Sequence, residues 1–390
     1  MKEKADSLLP SGRMTEGQGE ELQSGTIALM RIPLVVAVIF IHSIGMPEYV
    51  QPYWNSFTGM DIFNWLRVCF SLVLPTVAVP AFFLISGYLF FRKTVNWDSR
   101  TYVAKMKRRL RTLVLPYILW NILAFVLFSG PAFRGWLAGR GFDFVEVWNA
   151  QGGWHMFWDA HVFSDNLRDW SGRSIVTSGP LLAPLWFLRD LICVSLCSPL
   201  IYMLVRYLRL WGVGILGFCY VSGLFPAVTG LSAGAVFFFS WGAWYALSQK
   251  NVVLGMRRME KPALISGLAL FVPAVLLFGR TTPAGQLVMP LFDIAGVIVV
   301  FCLFSRLWTR GYRRGISFSG TSFFVYAAHG ILVVPVVMKG LGKLLPWESP
   351  FIYGVRYLVV PFVVLAVCLC LYAALRRICP FCLSLLTGNR

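Results

Sequence analysis

Charge is what this chain has least of. Only 13% of its 390 residues are Asp, Glu, Lys or Arg, against about 25% in an ordinary soluble protein. That shortage excludes a soluble globular domain of this length. Acid is scarcer than base, with 17 Asp and Glu against 35 Lys and Arg, and histidine occurs four times. No Walker or dinucleotide-binding pattern stands in its strand and helix context, so nothing points to nucleotide-driven or hydride chemistry. The first 25 residues lack a basic start, an apolar stretch and a small-residue cleavage site. No cleavable signal peptide is expected, and the first apolar helix is expected to serve as an uncleaved signal. A single CxxC, Cys379 and Cys382, has no second pair or nearby histidines. It is a weak case for zinc, and no metal is expected. The other cysteines lie mostly in apolar runs and read as small buried hydrophobes.

What the chain does have is long apolar segments, with 57% of its residues hydrophobic. These predict an all-α polytopic membrane protein of about ten helices, near 26–45, 69–91, 113–130, 185–204, 213–229, 231–249, 262–279, 287–305, 321–338 and 353–375. The net charge of +18 is no sign of nucleic-acid binding, because the basic residues collect in alternate short loops. Residues 92–111 hold eight Lys and Arg, and 250–261 and 305–320 hold four each. By the positive-inside rule these segments and both termini face the cytoplasm. The expected organisation is a polar cytoplasmic tail over 1–25, a membrane domain over 26–376 and a cytoplasmic tail over 377–390.

Ionisable residues inside apolar helices are costly and point to function. Arg31 and His42 lie eleven residues apart on the first helix, close to three turns, so both project from nearly one face. They are separated by roughly 16 Å along the axis, which places the arginine near one membrane edge and the imidazole well inside. Histidine is suited to taking and returning a proton near neutral pH. Pro33 frees a carbonyl one turn earlier and is expected to kink this helix. Ahead of the third helix, Arg108 and Arg111 are helix-face neighbours whose guanidiniums can grip phosphate oxygens. One outer segment, 131–184, is long and rich in Trp (136, 148, 154, 158, 170), with Asp143, Glu146, Asp159, Asp165 and Asp169. Its aromatic rings anchor it at headgroup level, or its rings and carboxylates receive a polar, sugar-like acceptor. His155 and His161, in the same segment, read as surface residues.

Arg31 with His42, FFLISGYLFF over 82–91, RRLR before LPY, LWFLRDLICVSLCSPLIY over 185–202 and SFFVYAAHG over 322–330 together resemble acyltransferase family 3, bacterial integral membrane enzymes that acylate sugars and related acceptors. The resemblance implies an acyl-coenzyme A donor, acetyl above all, and a glycan or other cell-envelope hydroxyl as acceptor, at the bacterial cytoplasmic membrane. Arg31, Arg108 and Arg111 would hold the donor's phosphates. Its extended arm, on the order of 15–20 Å, would reach along the helix to His42. His42 would act as general base or carry the acyl group itself, and His329 stands where late-helix histidines of the family occur. Ser86 and Tyr326 are candidate oxyanion donors. Arg189 and Asp190 are adjacent, do not face one another on a helix, and each needs another partner. Asp293, a rare membrane acid, is expected to orient His329 or to pair with Arg189. The extracytoplasmic esterase-like domain of some relatives is not found, so the chain acts alone or with a separate extracytoplasmic partner. The alternative to an enzyme is a transporter or flippase for an anionic amphiphile or glycan; Pro75 and Pro80 interrupt the second helix, but the second half has no matching pair.

Overall fold

The computed structural model describes residues 15–45, 47, 49–52, 55–94, 96–139, 141–160, 179–226, 228–279 and 282–389. His161, Asp165, Asp169 and Trp170 lie outside them. Every regular element among the described residues is a helix, beside one isolated bridge between Val228 and Leu231. The main helices are α1 (Glu16–His42), α2 (Gly59–Phe91), α3 (Ser99–Phe128), α4 (Trp186–Leu196), α5 (Ser198–Ser222), α6 (Ala233–Leu247), α7 (Val252–Arg258), α8 (Glu260–Leu277), α9 (Pro283–Thr309), α10 (Ile316–Leu344), α11 (Pro350–Ile378) and α12 (Pro380–Thr387).

Eight of these, α1, α2, α3, α5, α8, α9, α10 and α11, are long and apolar enough to cross a membrane. The expected count of ten parts from this between 185 and 249. Arg209 sits at φ 52, ψ −130 and breaks α5. A Cβ on Gly212 would stand 2.9 Å from the Leu204 side chain, whereas eight residues of straight helix span about 12 Å. The chain therefore doubles back at Arg209, and the expected spans 185–204 and 213–229 are joined through that break. The span expected at 231–249 is α6, apolar but only 15 residues long.

Two helices begin ten residues before their apolar runs, because capping boxes start them. Thr15 caps α1 with Gln18, and Thr58 caps α2 with Asp61. The polar foot of α1 is packed: Gln23 donates to the Tyr88 hydroxyl at 2.6 Å and accepts from the Val252 amide at 3.0 Å, while Asn251 donates to Gly19 O at 2.7 Å. Pro75 lacks the amide a regular helix needs, and α2 passes through a π turn (Val68–Val73) and a 3₁₀ turn (Leu74–Val77) before regaining α geometry.

At the centre, α2 packs most closely on α6. A Cβ on Gly87 would come within 2.0 Å of Phe239 O, and one on Gly242 within 2.0 Å of Leu84 O. Only bare backbone fits there, the close approach that small residues give membrane helices. By contrast α8 turns Leu264, Ile265, Leu268 and Val272 outward, where lipid is their natural solvent.

Candidate active site

α1 ends at His42, and its imidazole lies against that of His329, with ring centroids 5.2 Å apart and planes tilted by 47°. His329 is fully buried where α10 passes through a π turn, His329–Val333; such turns occur often at functional sites. Its Nδ1 lies 3.3 Å from Val325 O, the arrangement in which Nδ1–H donates to that carbonyl. Nε2 is then left with its lone pair, and it is buried without a hydrogen-bond partner among the described residues. An unsatisfied buried ring nitrogen beside a second imidazole asks for a proton or a substrate hydroxyl. Sequence spacing alone had no means of joining two histidines 287 positions apart; α1 packs against the first half of α10 and brings them together.

The end of α1 is held from several sides. Ser71 donates to Phe40 O and lies 2.7 Å from the Tyr357 hydroxyl, and Ser43 Oγ donates to Ile39 O at 2.7 Å. Arg67, with no exposed surface, donates to Ile44 O at 3.1 Å and Pro47 O at 2.8 Å, and to Asn64 Oδ1. Its guanidinium also lies 4.4 Å from the centroid of Phe63. Sequence reading missed Arg67 because it began the second helix at 69. The available signal was Asn64 and Arg67 at i, i+3 spacing behind a Thr-x-x-Asp cap.

Arg31 sits eleven residues before His42 on α1, half-buried, with no hydrogen-bond or ion-pair partner among the described residues. Fifteen residues of helix precede it, so it stands about 22 Å above the start of α1. Pro33 lies inside a helix that continues on either side of it. Arg108 and Arg111 are exposed at the foot of α3, and a π turn beginning at Leu110 separates them. The end of α12 lies beside them: Trp120 Nε1 donates to Leu386 O at 3.0 Å, and Gly388 abuts the backbone of Thr112.

Several candidates have other duties. Asp293 accepts from Thr76 Oγ1 at 2.7 Å and from the Tyr220 hydroxyl at 2.8 Å; it ties α9 to α2 and α5, and neither orients His329 nor pairs with Arg189. The expectation that Arg189 and Asp190 avoid each other is corrected: they form a buried ion pair at 3.0 Å. Asp190 is fixed by the Ser232 amide at 3.2 Å, and the long arginine chain bends around the helix to reach it. Arg189 also donates to Trp158 O at 2.7 Å. Tyr326 gives its single hydroxyl proton to Pro184 O, which leaves none for an oxyanion. Its ring continues an aromatic series from His329 (6.1 Å) through Tyr326 to Phe187 (5.7 Å) and Phe83 (4.6 Å). Ser86, one helical turn beyond Phe82 and Phe83, is half-buried and makes no hydrogen bond among the described residues.

The described ends of the outer segment are built structure. Helices Gly130–Leu137 and Phe144–Ala150 lead to a 3₁₀ turn, Gly153–Phe157. Tyr117 on α3 donates to Phe157 O, Asn121 accepts from the Leu182 amide at 3.1 Å, and Ala160 N donates to Gly179 O at 2.9 Å. A cavity of about 530 Å³ opens here, lined by Trp148, Asn149, Trp154 and His155, and Trp148 meets Trp154 edge to face at 5.1 Å.

Comparison with known proteins follows this geometry. The model of a family described as an acyltransferase domain matches residues 25–375. The chain is similar to the succinoglycan biosynthesis protein ExoH of Rhizobium meliloti (strain 1021), with 29% identity over 383 residues, covering 94% of this chain and 92% of the relative. No solved structure matches the chain.

Proposed function

The chain belongs to this acyltransferase family of multi-pass membrane proteins, and we propose that it transfers an acyl group, acetyl first among them, from acyl-coenzyme A to a glycan hydroxyl with the His42–His329 pair managing the proton. The carrying observation is the unfilled Nε2 of buried His329 against His42, on the helix whose co-facial Arg31 has no hydrogen-bond or ion-pair partner among the described residues. One imidazole takes the acceptor's hydroxyl proton as its oxygen attacks the thioester carbonyl. The new C–O bond forms, the C–S bond breaks, and the proton goes to the departing thiolate. The buried His329 ring is fixed by Val325, and His42 faces the reactants from the end of α1.

Arg31 supplies a charge-assisted donor to the substrate's anionic part, and Arg108 and Arg111 form the basic approach on the cytoplasmic side. Ser86 is the remaining oxyanion donor among the named candidates, since its hydroxyl is uncommitted. A glycan acceptor is supported by the relative's part in succinoglycan biosynthesis and by the Trp148–Trp154 cleft, whose aromatic faces suit a sugar ring. The bacterial cytoplasmic membrane is the compartment that fits this donor and the charge asymmetry of the loops.

The test uses protein purified in nanodiscs. Acyl transfer, followed as thiol released from acetyl-coenzyme A, should fall by about 10²–10⁴-fold in His42→Gln and in His329→Gln, with donor binding retained. Arg31→Gln should instead raise the donor Kd. Undiminished transfer in both histidine variants would reject the assignment. Mass spectrometry of cell-envelope glycans with and without the gene identifies the acceptor by its lost acyl mass.

A further inference from the structure

A second cavity, about 870 Å³, lies at the inner end of the bundle. Thr94, Tyr202, Arg206, Arg209, Trp244 and Lys250 belong to its wall. Three stretches build it: the link after α2, the break in α5 and the end of α6. By the charge of the loops, all three face the cytoplasm. It is no part of a passage to His42. Asn251, next to Lys250, donates to Gly19 O at the foot of α1, and from Gly19 to His42 the helix rises roughly 34 Å. The arm of an acyl-coenzyme A is too short to span that distance.

The wall carries charge of one sign. Three cations line it, and none of its described lining residues is a carboxylate. Arg206 and Arg209 have no hydrogen-bond or ion-pair partner among the described residues, and Lys250 rests 4.6 Å from the Trp244 ring centroid. Thr94 is only 6% exposed, and its Oγ1 finds no hydrogen-bond partner among the described residues. A buried hydroxyl in the wall therefore stands unsatisfied. Arg209 (φ 52) and Gln249 (φ 54), both on the wall, hold a backbone conformation that glycine adopts freely. Strain of this kind gathers at ligand clamps.

The surface beside the cavity decides which anion fits. Where α5 folds back, Tyr207, Leu208, Leu210 and Trp211 are exposed, and Leu210 also belongs to the cavity wall. An exposed apolar tip bearing Tyr and Trp marks the headgroup level of a membrane. A soluble anion would meet the cations alone. A lipid meets both, with its phosphate on the cations and its chains along the apolar tip. We propose that the cavity seats the headgroup of an anionic phospholipid of the inner leaflet, its phosphate on Arg206, Arg209 and Lys250 and a head oxygen accepting from the Thr94 hydroxyl. Seated there, the lipid ties together the three stretches that build the cavity.

Native mass spectrometry of the full chain, offered phosphatidylglycerol and phosphatidylcholine of matched chains in equal amounts, tests this. Wild type should retain phosphatidylglycerol in preference. Arg206→Gln and Lys250→Gln should each cut that preference about fivefold, the scale of one cation near an anionic lipid surface. Thr94→Val should also lower it, while its melting temperature in phosphatidylcholine stays level or rises, because an unsatisfied buried hydroxyl is gone. Arg310→Gln removes an exposed cation from the loop after α9, outside the cavity, and should leave the preference unchanged. No preference in wild type, or a preference unchanged in any of the three cavity variants, overturns the proposal. So does an equal loss in Arg310→Gln, which would make the effect one of diffuse surface charge. Inorganic phosphate should not displace the bound lipid; displacement would make the site one for a soluble anion and reject the lipid.

Discussion

Arg67 shows what one side chain does for a site it does not enter. Its guanidinium spans the turn that follows His42, and its removal leaves the Ile44 and Pro47 carbonyls without their donor. Arg67→Met keeps the volume and loses the charge. It should cost about 2–3 kcal/mol, the penalty for stranding buried acceptors, read as a lower melting temperature in detergent. Transfer by the surviving folded protein should fall with little change in donor Kd, because His42 loses its support while Arg31 does not. The register of Arg31 and His42 was legible because helix periodicity is local. The partners of Arg67, Asp293 and Arg189 were not: each is chosen by whichever donor or acceptor another helix brings near, and in a dry interior any polar neighbour outcompetes none. For that reason Asp293 pairs with Thr76 and Tyr220, and Asp190 is satisfied by its own neighbour.

Helix cores were legible from apolar runs, while several ends were not. Hydropathy starts α2 at Cys69, yet the Thr58–Asp61 capping box starts it at Gly59, and Thr15 with Gln18 does the same for α1. Capping is read from polar residues outside the apolar window, so a search for membrane spans passes over it. Contacts between elements were equally hidden. Gly87 and Gly242 are ordinary glycines in sequence, but their facing backbones leave no room for a methyl group. Gly242→Val should therefore separate α2 from α6. We expect loss of the folded-protein peak on size exclusion, since a displacement of this kind costs several times the roughly 1–3 kcal/mol of ordinary overpacking. Gly130→Ala, at a position where a Cβ meets nothing within 4 Å, should leave the elution profile unchanged.

At the scale of the molecule, the basic loops and the order of helices make a single claim about sidedness. Tags at residue 1 and residue 390 should be protected from an impermeant protease in intact cells, while one inserted beside the exposed Trp154 should be cut. Cleavage at either terminus would reverse the topology that the basic loops imply. The family, the all-α class and the apolar spans could be read from residue order alone, because burial in lipid imposes a continuous apolar run whatever the neighbouring helices do. The pairing of the two histidines could not. His42 and His329 meet only when α1 packs on α10, and Asp293 meets Thr76 only when α9 packs on α2. Both depend on helices far apart in the chain choosing each other, and that choice is made by packing and by buried hydrogen bonds, neither of which leaves a periodic trace in sequence.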